Sequence, residues 1–180
     1  MKRRIFIAIS IPENVKKRLV DYMRKWIDLD SKLIRWTKKD NLHITLLFIG
    51  YVDNDVMYEI IEKAKKVAKN HNPFNVNFER IVLGPPDRTP RMFWVQGGKS
   101  EELGKLQEDL VNEIEQRTNA KHDAIRPHIT LSRFKSGLDL PKDLNEPFQA
   151  QIPVETIEIM QSNLKRSGAE YTVLESIELG

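Results

Sequence analysis

The sequence predicts an α+β unit built mainly on antiparallel strands, and three observations carry that expectation. Short stretches alternate apolar and polar residues along the chain, the period-two signature of half-buried strands. Three longer stretches place apolar residues every three or four positions instead, the signature of amphipathic helices. Finally, a four-residue word occurs twice, as His43-Ile44-Thr45-Leu46 and as His128-Ile129-Thr130-Leu131. Each copy follows a strand–helix stretch, so the order of elements suggests a duplication with two related lobes. With no linker and no low-complexity segment, residues 1–180 are expected to form a single domain of two intertwined lobes.

Residues 3–10 read as a strand with Phe6 and Ala8 on one face and Ile5, Ile7 and Ile9 on the other. Ile11, Val15, Leu19, Met23 and Ile27 then recur every fourth position, one side of a helix. Ser10 and Glu13 have capping-box spacing, and Pro12 suits a first helical turn. Residues 33–37 form a short strand and 38–41 a turn by composition. The first His-x-Thr strand spans 42–52. A second helix is expected over about 53–70, apolar along Val56, Ile60, Ala64, Val67 and Ala68, with Glu59/Lys63 and Glu62/Lys66 paired on its wet side. Residues 73–83 alternate as a strand, 84–90 are a Gly- and Pro-rich loop, and 92–95 are the returning strand. Ser100 caps a third helix with Glu101 and Glu102 in its first turn and Leu103, Leu106, Leu110, Val111 and Ile114 along its apolar side. A connector over 119–126 leads to the second His-x-Thr strand at 127–134. Residues 136–147 are expected as a loop, and 154–160 and 171–179 as closing strands joined by a turn near 167–168.

Composition narrows the function classes. The absence of cysteine excludes a disulfide framework and a thiolate metal site, and fits a cytoplasmic protein. The apolar N-terminal run is too short for a signal peptide and ends at Pro12-Glu13; no stretch is long enough to span a membrane. A net charge of +3 is mildly favourable to a polyanionic partner. There is no Gly-rich phosphate loop, no dinucleotide fingerprint, no His-Glu-x-x-His and no Lys-x-Asp-Gly, so an ATP-using ligase is not expected.

The repeated word is where the chemistry lies. A histidine in a strand is ordinarily a satisfied structural residue. Seven threonines among 180 residues, however, give a histidine about one chance in 25 of Thr two places on, and here it happens twice with the same Ile and Leu. Residues i and i+2 of a strand share a face, so each copy sets an imidazole beside a hydroxyl with Ile and Leu behind. Two imidazoles, each with an ordinary pKa near 6.5, can serve as acid and base together near neutrality. In-line displacement at a phosphodiester needs both roles, and threonine hydroxyls can hold the non-bridging oxygens. Neither word has a third His or a carboxylate at ligand spacing, so no metal and no other cofactor is expected.

These words, extended to His43-Ile44-Thr45-Leu46-Leu47-Phe48 and His128-Ile129-Thr130-Leu131-Ser132-Arg133, resemble the paired motifs of the two-histidine (2H) phosphoesterase superfamily. The resemblance is to its RNA 2′,3′-cyclic phosphodiesterase branch, also called 2′-5′ RNA ligase-like. It extends to the strands at 4–8 and 91–95 and to Ser162-Asn163-Leu164 and Gly168-Ala169-Glu170-Tyr171. The resemblance implies a bilobed fold with an active-site cleft between pseudo-symmetric sheets flanked by helices. It also implies metal-independent hydrolysis of a terminal 2′,3′-cyclic phosphate to a 2′-phosphate, with any 2′-5′ joining as the reverse reaction. His43 is then assigned as general acid and His128 as general base, an assignment the symmetry of the words leaves reversible. Thr45 and Thr130 would hold the phosphate, and Arg133 and Phe48 are carried over as substrate contacts. Strict alternation puts both out of phase with the histidines, so contact requires a bulge or twist. The expected partner is RNA with a 2′,3′-cyclic phosphate end, tRNA halves among the candidates, acted on by a monomer.

Arg126, just before the second strand, is a candidate phosphate contact or a solvated charge. Trp36 and Trp94 read as core or as base-stacking platforms. His71 and His122 read as structural or solvated, and the Lys- and Arg-rich stretches at 16–18 and 63–66 as wet helix faces. Two other function classes fit the words: an RNA-end-binding module without turnover, and a 2H phosphoesterase for a small molecule such as an ADP-ribose cyclic phosphate.

Overall fold

A computed structural model describes residues 2–85, 88–114, 126–165 and 168–180. In chain order they form β1 (Arg3–Ser10), α1 (Glu13–Arg24), β2 (Ile34–Trp36), a 3-10 turn (Lys39–Asn41), β3 (His43–Val52), α2 (Asn54–Ala68), β4 (Phe74–Gly84), β5 (Met92–Gly97), α3 (Glu101–Ile114), β6 (His128–Phe134), β7 (Asn145–Val154), β8 (Thr156–Lys165) and β9 (Gly168–Glu178). The fold is α+β and its strand pairings are antiparallel, as the sequence led one to expect.

The strands follow one path, β7-β4-β5-β6-β3-β1-β8-β9, with β2 added to β6. Four strands lie on each side of the β6–β3 junction. That junction is a single residue pair, Ile44 with Ile129, the second residue of each repeated word. The two sheets expected from the resemblance are therefore halves joined at one point. Beyond it β3 and β6 part, and the segment after β2 enters the wedge: the Thr37 N–H donates to the Leu131 carbonyl at 2.8 Å and the Thr37 hydroxyl to the Thr130 carbonyl at 2.9 Å.

The helices tie the halves together crosswise. α1 follows β1, yet Arg18 donates to the Gln149 carbonyl of β7 at 2.8 Å and lies 4.6 Å from the centre of the Phe148 ring. α3 follows β5 of the other half, yet Gln107 reaches the Leu46 carbonyl of β3 at 2.9 Å. β1 and β5 thus each send the following helix to the opposite half, while α2 meets β9 of its own half through Lys65 and Glu175. Burial at the junction is complete: Ile44, Leu46, Leu47, Ile129 and Leu131 are all at 2% exposure or less, which sets the repeated words rigidly in the core.

Local expectations fare unevenly. Asp53 caps α2 by accepting from the Val56 N–H, and Ser100 caps α3 by accepting from the Leu103 N–H. α1 has no side-chain cap; Pro12 itself stands at its N-cap, so the Ser10–Glu13 capping box is not formed. α1 ends at Arg24 and Ile27 is 76% exposed, not part of the apolar face. The reason is a tightening of the chain: the N–H groups of Trp26 and Ile27 bond three residues back, to Met23 and Arg24, and a three-residue turn rotates side chains off the four-residue stripe. On α2, Glu62 pairs with Lys65, while Lys66 turns to Glu113 of α3. β7 begins inside the stretch expected as a loop; it carries Pro147 and Pro153, which it tolerates because it is an edge strand. β8 runs on to Lys165, past the expected end at Met160. Most of the connector at 119–126, with His122, and Ser167 of the final turn lie outside the described residues.

Candidate active site

The antiparallel register around Ile44–Ile129 sets His43 on the side of Thr130 and Thr45 on the side of His128, all four on one face of the junction. The two histidines thus stand diagonally across it, each half-buried. Both are oriented alike. His43 Nδ1 lies 2.7 Å from the Asn41 carbonyl, and His128 Nδ1 lies 2.8 Å from the Arg126 carbonyl, in each case two residues back. A carbonyl only accepts, so Nδ1 carries the proton in both rings and Nε2 is left for chemistry. His43 Nε2 lies 2.9 Å from the Thr45 hydroxyl, which donates to it while the ring is neutral. Among the described residues no protein group bonds His128 Nε2.

Both imidazoles have pKa values below the ordinary histidine range. Burial is the main cause at each, opposed by the carbonyl at Nδ1. The positive charge of Arg133 pushes in the same direction as burial at both, and at His43 so does His128.

Phe48 and Arg133 reach this face because both strands bulge at the same place. Along β1–β3 the partners run Ala8–Thr45, Ile7–Leu47, Phe6–Phe48, leaving Leu46 extra. Along β5–β6 they run Trp94–Thr130, Phe93–Ser132, Met92–Arg133, leaving Leu131 extra. One extra residue flips the parity of the residues just beyond it, so residues three after each threonine share its face. The bulge that contact requires is therefore present in both words, and it makes Phe48 and Arg133 structural equivalents. Arg133 Nη1 lies 3.2 Å from Met92 Sδ, and Phe6 packs on Phe48 with ring centres 5.9 Å apart.

A cleft of about 590 Å³ opens beside the junction, with Phe6, Phe48 and Tyr171 on one wall and Trp36, Thr37 and Arg133 on the other. Neither histidine lines it; His43 adjoins it through two residues of its aromatic wall. Phe6 and Tyr171 lie against His43 at 5.1 and 5.2 Å between ring centres. His128 instead stacks on Trp94, at 4.1 Å and 24° between planes. Trp94 is almost fully buried, so it supports a catalytic candidate from beneath and is not a platform for a base. Arg126 does not line the cleft; its backbone carbonyl, not its guanidinium, is what meets His128. His71 is buried and 2.9 Å from Asp109, where it holds α2 to α3 and takes no part in this face. Among the described residues no three His, Asp or Glu side chains converge on one point.

Sequence reasoning did not single out Asn41, Phe6 or Tyr171 as contacts of the histidines. Phe6 had a signal, its shared face with Ala8. A backbone carbonyl such as that of Asn41 has none, because any residue supplies it.

Known proteins share this fold. Residues 11–166 match the model of the 2′-5′ RNA ligase superfamily. The chain is 30% identical over 175 residues to an RNA 2′,3′-cyclic phosphodiesterase of Thermotoga maritima, an alignment covering 95% of this chain and 92% of that protein. It is 30% identical over 191 residues to the protein of the same name from Aquifex aeolicus, covering 98% and 97%. Among solved structures it superposes on TT0787 of Thermus thermophilus with a TM-score of 0.84, 28% identity and coverage of 98% and 97%. Apo LigT of E. coli, 22% identical over 99% of this chain and 98% of its own, has the same fold with a TM-score of 0.80. Among the described residues no helix is long and apolar enough to cross a membrane.

Proposed function

The chain belongs to the 2′-5′ RNA ligase superfamily, and from that premise we propose that it hydrolyses a terminal 2′,3′-cyclic phosphate on RNA to a 2′-phosphate. The observation that carries the reading is the pair of imidazoles on one face, each oriented by a carbonyl at Nδ1, with the Thr45 hydroxyl against His43 Nε2 and His128 Nε2 without a protein partner among the described residues.

The asymmetry of the cleft supports a direction for the reaction. The aromatic wall lies against His43, so a ribose seated there puts its 3′-oxygen on the His43 side of phosphorus. Water then approaches from the His128 side. His128 Nε2 takes a proton from the water as its oxygen bonds to phosphorus. The P–O3′ bond breaks, and protonated His43 gives its Nε2 proton to the leaving 3′-oxygen. The 2′-oxygen keeps the phosphate. Thr45, turning from His43, and Thr130 donate to the non-bridging oxygens, and Arg133 neutralises the charge that accumulates on them. Phe48, more than half exposed at the cleft wall, offers a face to the base. The enzyme so read is cytoplasmic and works as a monomer, since both imidazoles come from one chain.

The test is turnover of a nucleoside 2′,3′-cyclic phosphate by metal-stripped protein in excess EDTA, with the product's phosphate position identified. A 2′-phosphate formed at an undiminished rate is expected. No turnover would overturn the reading. Activity lost in chelator and restored by zinc or manganese would overturn the two-imidazole mechanism.

A further inference from the structure

The two imidazoles straddle a junction of one residue pair, Ile44 with Ile129, and one pair acts as a pivot. A misplacement of about 1 Å between reacting groups can cost about 100-fold in rate, so whatever else spans the pivot matters to the site. The segment between β2 and β3 spans it. At its start Thr37 holds the second word, its hydroxyl on the Thr130 carbonyl and its N–H on the Leu131 carbonyl. At its end Asn41 holds the first, its carbonyl accepting from His43 Nδ1. Between them lies a single 3-10 turn, Lys39–Asn41.

A lone turn of this kind is weak, because its three-residue hydrogen bonds are poorly aligned. Here they run from the Asn41 N–H to the Lys38 carbonyl at 2.9 Å and from the Leu42 N–H to the Lys39 carbonyl at 3.2 Å. Side chains anchor the turn from outside. Lys39 pairs with Glu13 of α1, and Asn41 Nδ2 donates to the Ala169 carbonyl of β9 at 2.7 Å. Tyr171, two residues farther along β9, stands edge-on to the His43 ring. β9 therefore grips His43 twice, on the ring through Tyr171 and at Nδ1 through Asn41. The carbonyl that orients His128 is placed by backbone instead: the residue after Arg126 is tied to β5, where the Gly97 N–H donates to the Pro127 carbonyl at 2.8 Å.

Resting on the phosphodiesterase reading, we infer that Asn41 and Thr37 are positioning residues of the reaction. The Asn41 amide, through Ala169, fixes the carbonyl that orients His43, and the Thr37 hydroxyl fixes the strand that carries Thr130. Burial lowers the His43 pKa and the Asn41 carbonyl opposes it. The other titratable or charged groups facing that ring are His128 and Arg133 of β6, Lys16 of α1 and the Tyr171 phenol of β9, none of which the substitutions below change. A loosened carbonyl therefore lowers the His43 pKa further.

The experiment measures steady-state kinetics and pH profiles with uridine 2′,3′-cyclic phosphate for the wild type, Asn41→Ala, Thr37→Val and Thr37→Ser. NMR titration of both imidazoles in the substrate-free proteins accompanies it, and melting curves check folding. Asn41→Ala should lower kcat about three- to tenfold, as one net hydrogen bond is worth, with KM little changed. It should move the His43 titration and the falling limb to lower pH and leave those of His128 in place. Asn41→Ser, too short to reach Ala169, should do the same and serves if Asn41→Ala does not fold. Thr37→Val should lower kcat/KM by about the same factor with both titrations unmoved, and Thr37→Ser should restore it. An unmoved His43 titration in a folded Asn41 variant, or a Thr37→Ser no faster than Thr37→Val, overturns the inference while the hydrolase reading stands. If the wild type turns over nothing, the hydrolase reading fails and the inference with it.

Discussion

The two His-x-Thr words share a sequence, a bulge and a proton arrangement, yet they sit in different surroundings. In the first, His43 is flanked by Phe6 and Tyr171, its Nε2 is engaged by Thr45, and the place three residues past the threonine holds Phe48. In the second, His128 rests on Trp94, its Nε2 has no protein partner among the described residues, and the equivalent place holds Arg133. Even the carbonyl freed by each bulge is satisfied differently: Leu46 by the Gln107 side chain, Leu131 by the Thr37 backbone N–H. On the proposed reading the acid–base pair is symmetric while the residues that would meet the substrate are not. In that reading a repeated strand supplies two imidazoles and the differences around it supply a direction, because attacking water and departing ribose need different neighbours.

The largest expected effect tests the symmetric part. His43→Ala and His128→Ala should each lower kcat by about 10²–10⁴-fold, the usual contribution of a positioned acid or base. The double variant should lose far less than the product of the two, since the pair acts as a unit. Near-wild-type turnover in either single variant would break the comparison.

Next comes the position where the words differ most. Arg133→Lys keeps the charge but loses the planar fork, and steady-state kinetics should show turnover down about tenfold. Phe48→Ala should instead raise KM by roughly five- to 150-fold, the range for one lost base stack, with kcat little changed. Equal effects of the two substitutions on kcat would mean that the words do not divide phosphate and base between them.

A pH profile sharpens the assignment of roles. The base must be neutral, so kcat/KM should rise with pH through the His128 pKa; the acid must be protonated, so it should fall through that of His43. Burial lowers both in the free protein, which puts the optimum of kcat/KM on the acid side of the ordinary imidazole range. Bound phosphate favours imidazolium, so the falling limb of kcat should lie at higher pH than that of kcat/KM. Arg133→Gln removes a positive charge felt by both rings and should move both limbs upward. Limbs that stay in place would show that Arg133 does not act on the pair electrostatically.

The smallest effects probe the supports. At Gly84 a Cβ would run into the Trp94 indole, whereas Ala8, the counterpart of Trp94 in the first word, leaves its histidine to Phe6 and Tyr171. Gly84→Ala should cost about 1–3 kcal/mol of stability, as overpacking does, and disturb the His128 limb of the pH profile without moving the His43 limb. Gln107→Leu should lower stability by about 1–3 kcal/mol, for a carbonyl left unsatisfied, with activity nearly retained; denaturant unfolding and steady-state turnover measure the two.

By itself the sequence determined the fold class, most of the helices and strands, and the four side chains at the centre of the site. These follow from periodicity and from a repeated word, and both are local: a strand turns residues i and i+2 to one face whatever surrounds it. The stop of α1 before Ile27 and the edge strand β7 were not legible, because neighbouring turns and sheet position override local pattern. Phe48 and Arg133 mark the boundary most clearly. Alternation alone turns them away from the histidines. Only pairing with β1 and β5 shows that Leu46 and Leu131 are left out of register, and an unpaired residue reverses the face of the residues just beyond it. Tertiary structure likewise decided that the words meet, at Ile44 and Ile129, and that an aromatic wall stands beside one histidine and a tryptophan beneath the other. Those contacts join residues far apart in the chain, and no local period encodes them.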